Sequence, residues 1–209
     1  MPLQNRVQPD GQLIATVERG LMMGNRGGRI HDPASRTLLR RRWASRRWIS
    51  CVLAFRGRQR SVMGQSYTEL FFTDEVVALA SGHRPCFECR LAAAKAFASA
   101  MSDGTGAGHP LNADTMDRIL HNERTRPRSF IIHARDLPDH AIFQLPDGTM
   151  ATNHDGEIWA WSFAGYHRTK APMTDGTMAD VMVLTPPSIV AALRAGNRPV
   201  HHQTQGGRA

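Results

Sequence analysis

Glu69–Arg90 reads ELFFTDEVVALASGHRPCFECR, and its punctuation fixes a local fold. Leu70-Phe71-Phe72 is a short apolar run of strand-forming residues. Thr73 and Asp74 are both good helix N-caps, and Asp74 and Glu75 place negative charge at the positive end of the helix they open. That helix is short, because Gly82 suits the left-handed position just beyond a helix end. Pro85 then forbids continuation and holds the chain extended. Cys86 and Cys89 follow at once, a Cys-x-x-Cys pair at the mouth of a second helix. Two thiolates so spaced can grip one tetrahedral ion. A redox pair is the competing reading, since a helix N-terminus lowers thiol pKa. Redox motifs of that kind follow a strand, whereas this pair follows a helix and a Gly-x-Arg-Pro turn.

The rest of the chain bounds what such a site can serve. It has 209 residues, enough for one large or two small domains with a real core. No run approaches eighteen uninterrupted apolar residues, and MPLQNRVQPDGQ at the start lacks a leader's apolar core; we expect no membrane partner and a cytoplasmic protein. Three cysteines, Cys51, Cys86 and Cys89, are an odd number, which argues for reduced thiols over a disulfide framework. The formal charge of +8 favours encounters with polyanions. Nearly all the excess is arginine, which suits bidentate contacts to phosphate and guanine, though a GC-rich genome would give the same bias.

Upstream, residues 1–10 read as a frayed end and Gln12–Val17 as a strand. Gly20–Gly28 is rich in glycine and fits no phosphate-binding fingerprint; we read it as a tight loop. From Pro33 to Thr68 there is no acidic residue, while Arg41, Arg42, Arg46, Arg47, Arg56, Arg58 and Arg60 fall in that window among Trp43 and Trp48. Trp48–Phe55 predicts a strand, Arg56-Gly57-Arg58 a turn and Gln59–Met63 the returning strand of a hairpin. Those arginines are the candidate nucleic-acid contacts, with tryptophans for stacking; a solvated strand face over a tryptophan core is the alternative.

Downstream, Cys89–Met101 predicts an alanine-rich helix, 102–113 a linker, and Asn112 or Asp114 the cap of a helix to about Arg124. His121-Asn122-Glu123 with Asp117 invites a comparison with HNH-type nucleases, but no metal-binding hairpin precedes it; a solvated helix face is preferred. Beyond Pro127, Phe130–His133, Ala141–Leu145, Thr149–Thr152 and Ile158–Phe163 alternate with Pro146-Asp147-Gly148 and Asp155-Gly156, which predicts an antiparallel meander. Trp159 and Trp161 share one face and read as core. Val181–Leu184 is a last strand, followed by a helix over Ser188–Ala195 and a loose polar tail from Val200. Gly196-Asn197-Arg198-Pro199 echoes Gly82-His83-Arg84-Pro85, and we read the echo as one helix-stop chemistry used twice.

Leu70–Arg90 resembles the zinc-binding domain of the Ada family of DNA alkylation-repair proteins. The matching residues are Phe71-Phe72, Ala78–Ser81, Gly82, Arg84, Pro85, Cys86 and Cys89. The resemblance implies Zn2+ held by four cysteines, one of them a thiolate that takes an alkyl group from DNA. The family's first half is a strand ending in Cys-x-x-x-Cys; here Trp48–Cys51 supplies one cysteine and Phe55 stands where the second belongs. Alkyl acceptance by Cys51 is therefore an alternative reading. The expected metal ligands are Cys86, Cys89, Cys51 and His31, with His121 and His83 as other fourths.

The fold expected is α+β. An N-terminal β-hairpin with the Ada-like strand-helix-Cys-x-x-Cys unit and helices forms a basic zinc-binding region, residues 1–101. A linker (102–113) leads to a helix and an antiparallel meander closed by a helix (114–209), which can pack with the first part as one domain. The leading function is a zinc-binding protein with a structural metal site and an arginine-rich surface for nucleic acid, DNA first. A protein-interaction module is the remaining alternative. No Ser-His-Asp order, Walker motif or dinucleotide fingerprint is present, so neither a small-molecule cofactor nor a standard enzyme class is indicated.

Overall fold

The computed structural model describes residues 1–126, 131–170, 173–174, 177–178 and 180–202. Six short strands make an N-terminal sheet: β1 (Gln4–Val7), β2 (Leu13–Ala15), β3 (Met22–Arg26), β4 (Trp48–Cys51), β5 (Leu70–Phe72) and β6 (Arg84–Pro85). Their order is β2-β1-β5-β3-β4-β6, with β1–β5 and β4–β6 parallel and the other neighbours antiparallel. Three helices interleave with or follow it: α1 (Glu75–Ala80), α2 (Leu91–Thr105) and α3 (Ala113–Arg124).

The C-terminal part contains β7 (Ile131–His133), β8 (Ile142–Gln144), β9 (Met150–His154), β10 (Glu157–Ser162) and β11 (Gly165–Thr169). A small β12 (Met173–Thr174) and β13 (Thr177–Met178) pair follows, then β14 (Asp180–Val183) and α4 (Pro187–Arg194). The second sheet, β11-β10-β9-β8-β14-β7, is antiparallel throughout, so the fold is α+β as expected. Asp155 and Gly156 are the two central residues of the β9–β10 turn and both have positive φ, the conformation a two-residue hairpin needs.

The parts share their core. Val7, Leu70, Phe72 and Val76 of the first region pack in one buried cluster with Ile142, Trp161, Tyr166 and Leu184 of the second. Phe97 and Met101 of α2 join Met116, Phe143 and Ile189 in another. The indole N–H of Trp161 donates to Thr73, and the Tyr166 hydroxyl donates to Asp74, so the seam is hydrogen-bonded as well.

Several expectations are corrected. Residues 4–7 are a paired strand with Val7 fully buried, not a frayed end. The glycine-rich segment contains β3. Gly24 is needed there because a Cβ would lie 2.2 Å from the Ile49 carbonyl oxygen of β4. The predicted hairpin is absent. β4 stops at Cys51, Gln59–Met63 forms no strand, and the antiparallel partner of β4 is β3. The segment expected as a linker begins inside α2, which runs to Thr105. Phe130 and the tail beyond residue 202 lie outside the described residues.

Candidate metal centre

The helix stop places one thiol of the pair beside the third. Gly82, at φ +81°, closes α1, and Arg84-Pro85 then lies parallel to β4, Ile49 opposite Arg84 and Ser50 opposite Pro85. Cys86 N–H donates to the Ser50 carbonyl at 2.9 Å, so Cys86 sits alongside Cys51 at the end of β4. Two buried ion pairs hold this frame. Arg84 grips Asp117 of α3 with two 2.8 Å bonds, and Arg90 spans Glu75 of α1 at 2.6 Å and the Ser50 hydroxyl at 3.1 Å. Two polar residues of α3 thus face inward: Asp117 is buried, and Glu123 accepts from Ser188 at the start of α4, while Asp114, Arg118 and Asn122 are exposed. The solvated face expected for that helix is corrected at Asp117 and Glu123 and holds at Asn122.

The sulfurs of Cys51, Cys86 and Cys89 all lie within 4.8 Å of one another. Tetrahedral zinc with Zn–S bonds of about 2.3 Å separates its sulfurs by roughly 3.8 Å, so this trio fits such an ion with small shifts. Electrostatics point the same way. Hydrogen bonds from the Cys51 thiol and from the backbone N–H groups of Cys89 and Glu88 hold Cys86 well below the usual thiol range. Its proximity to Cys86, together with burial, drives Cys51 far up, and burial raises Cys89. A bound cation would displace the protons that the thiols carry.

A cavity of about 590 Å³ opens onto all three cysteines. The loop from Val52 to Thr68 forms one wall and carries Arg56, Arg58 and Arg60, all exposed. Arg58 pairs with Glu88 at 2.5 Å. Arg41, Arg42, Arg46 and Arg47 are exposed too, but they precede β4. A four-residue strand of roughly 13 Å therefore separates the two arginine groups, which do not share the expected hairpin. Trp48 is buried, with the guanidiniums of Arg26 and Arg124 each 4.1 Å from its ring centroid, so of the two tryptophans only Trp43 is exposed.

No histidine joins the three sulfurs among the described residues. His31 is buried elsewhere, with Nδ1 on the Thr68 hydroxyl at 2.6 Å and Nε2 on the Gly64 carbonyl at 2.8 Å; both nitrogens are occupied. His83 packs between Trp48 and Phe72, and His121 lies edge-on to Trp43. Sequence reading missed Glu69, which is buried and lines the cavity with Asn25 and Tyr67. Glu69 is the first acid after the long acid-free window, which marks its position but not its place in the cavity. Sequence reading also missed a group formed by His140, His154 and His201, whose rings stand 4.9–5.5 Å apart.

No protein-family model, curated protein or solved structure matches the chain. The likeness to the Ada-type domain rests on residues 70–90 alone.

Proposed function

We propose that this is a zinc-binding protein that engages nucleic acid through the arginine-bearing loop beside its metal centre. The observation that carries the reading is the convergence of Cys51, Cys86 and Cys89 from a strand end and a helix mouth onto one point. Thiolate donors favour Zn2+ over the hard cations, and three cysteines cannot all be paired in disulfides. When bound, zinc would keep the thiols ionised and tie β4 to the start of α2. Arg56, Arg58 and Arg60 give the adjoining rim the positive charge a phosphate backbone needs.

Metal analysis of protein purified under reducing conditions, before and after chelator, tests the first half. One zinc per chain, lost with chelator and absent from Cys89→Ala, is expected; a metal-free native protein would overturn it. Binding to random single- and double-stranded DNA across a salt series tests the second half. A linear fall of log affinity with log salt, shallower in the Arg56→Ala/Arg58→Ala/Arg60→Ala triple variant, is the expected result.

A second reading follows from the cavity's contact with the sulfurs. A thiolate of the trio could take an alkyl group from DNA: the S–C bond forms, the C–O bond to phosphorus breaks, and the phosphodiester anion leaves. Mass analysis of Cys51, Cys86 and Cys89 after incubation with methylated DNA decides between acceptor and purely structural site.

A further inference from the structure

The cavity beside the cysteines has the inventory of a base pocket. One lining residue holds a buried, unspent oxygen: Glu69 is 3% exposed, its Oε2 accepts the Met63 N–H at 2.8 Å, and its Oε1 has no partner. A buried carboxylate oxygen without a donor is costly, and a ligand N–H removes that cost. Three aromatic side chains, Tyr67, Phe71 and Phe55, are among its walls. At the mouth, the Arg60 guanidinium stands 4.8 Å from the Tyr67 centroid and that of Arg58 5.4 Å from the Phe55 centroid, placing cations next to the stacking surfaces. Asn25 adds an amide whose oxygen already accepts from Gly27 N–H. At about 590 Å³ the cavity is of the size that takes small ligands.

We infer that this cavity binds a single unpaired nucleotide whose base carries an exocyclic amino group, cytosine, adenine or guanine, with Glu69 Oε1 accepting from that group. The aromatic wall stacks the ring and the arginines hold its phosphate, the division of labour common in single-strand recognition. A carboxylate accepts from the cytosine amino group and finds only an acceptor at the same position of uracil or thymine. The inference rests on the nucleic-acid reading above and gives it a ligand: an unstacked base presented to the metal side of the cavity.

Titration of the zinc-loaded protein with CMP, AMP, UMP and cytidine, followed by Tyr and Trp fluorescence or calorimetry, tests it. CMP, AMP and GMP, titrated alike, should bind about tenfold more tightly than UMP, and cytidine more weakly than CMP. Glu69→Gln keeps an amide oxygen for the Met63 N–H and turns the free position from acceptor to donor, so the preference should reverse toward UMP. A side chain that only supports the loop would weaken all ligands alike. Equal affinity for all bases, or an unchanged preference in Glu69→Gln, overturns the inference while random-DNA binding stands. Loss of both mononucleotide and DNA binding overturns the inference and the nucleic-acid reading together.

Discussion

α1 and α4 close with the same pair of bonds. Gly82 N–H donates to Leu79 and His83 N–H to Ala78, while Gly196 N–H donates to Leu193 and Asn197 N–H to Ala192. Each is the double cap that a left-handed residue allows, and each is followed by Arg-Pro. From there they diverge. Arg84 turns inward to Asp117, and its strand delivers Cys86 to the metal centre. Arg198 stays exposed, bonded to nearby carbonyls, and Val200 continues as a strap across the start of α1, exchanging bonds with Glu75. The shared stop is local chemistry; the difference lies in what waits beyond it. One exit meets an open edge of β4, the other two carboxylates at a helix start.

The sharpest way to break this pairing is at the residue each stop delivers. Cys86→Ala should take bound zinc from one per chain to near zero by metal analysis, because two thiolates from distant elements hold zinc poorly. Val200→Ala should leave the metal content unchanged. Next comes the arginine of each stop. Asp117→Ala strands the buried Arg84 charge and should cost ~3–5 kcal/mol in urea unfolding. Arg198→Ala should stay within about 0.5 kcal/mol. Equal costs for Asp117→Ala and Arg198→Ala would mean that the inward turn of Arg84 does not distinguish the stops.

Much of this was legible because it is local. Asp74 does cap α1, accepting from Val77 N–H, and Asn112 caps α3 in the same way. The Asp-Gly turn and the glycine stops follow from backbone preference within five residues. The three cysteines were also named together. What sequence could not supply was the competition for an edge. Arg56-Gly57 does turn, both residues at positive φ, yet Gln59–Met63 has no strand to join because β3 and β6 already flank β4. Glu69 was passed over for the same reason: its significance is the cavity behind the loop, and no spacing encodes that. His31 looked free only because the Thr68 and Gly64 partners that occupy it are more than thirty residues away.

The two glycines separate the stops more gently. An alanine at either would have to hold a left-handed conformation, which costs ~1–2 kcal/mol. At Gly196 the added Cβ meets nothing within 4 Å, so Gly196→Ala should cost no more than that. At Gly82 it would approach Arg124 Cδ to 2.9 Å, against the side chain that donates to the Gly82 carbonyl. Gly82→Ala should therefore be the costlier of the two by about 1 kcal/mol in urea melts. It should also weaken zinc retention, which Gly196→Ala should not.

Proton linkage is the smallest effect and reads both exits at once. Burial holds His83, beside the first stop, well below its ordinary 6.5, and burial takes His201, on the strap of the second, to about 4. Both are neutral in the folded chain and protonate more readily when unfolded. Their contribution is complete above pH 6.5 and is lost as pH falls below it. Asp74, under the strap, runs the other way. Burial raises it from 3.8 to about 6, so its contribution is complete below 3.8 and is lost as pH rises through 6. Glu123, also raised by burial, acts in the same sense. Between pH 6.5 and 5 the carboxyls partly offset the histidines. Urea unfolding across that window should show a shallow loss of stability toward acid in the wild type. In Asp74→Asn, which keeps a capping oxygen but no titration, the loss should steepen; in His201→Gln it should flatten. If neither variant changes the slope, the strap does not close over the start of α1 in solution, and the second stop leads only to a free tail.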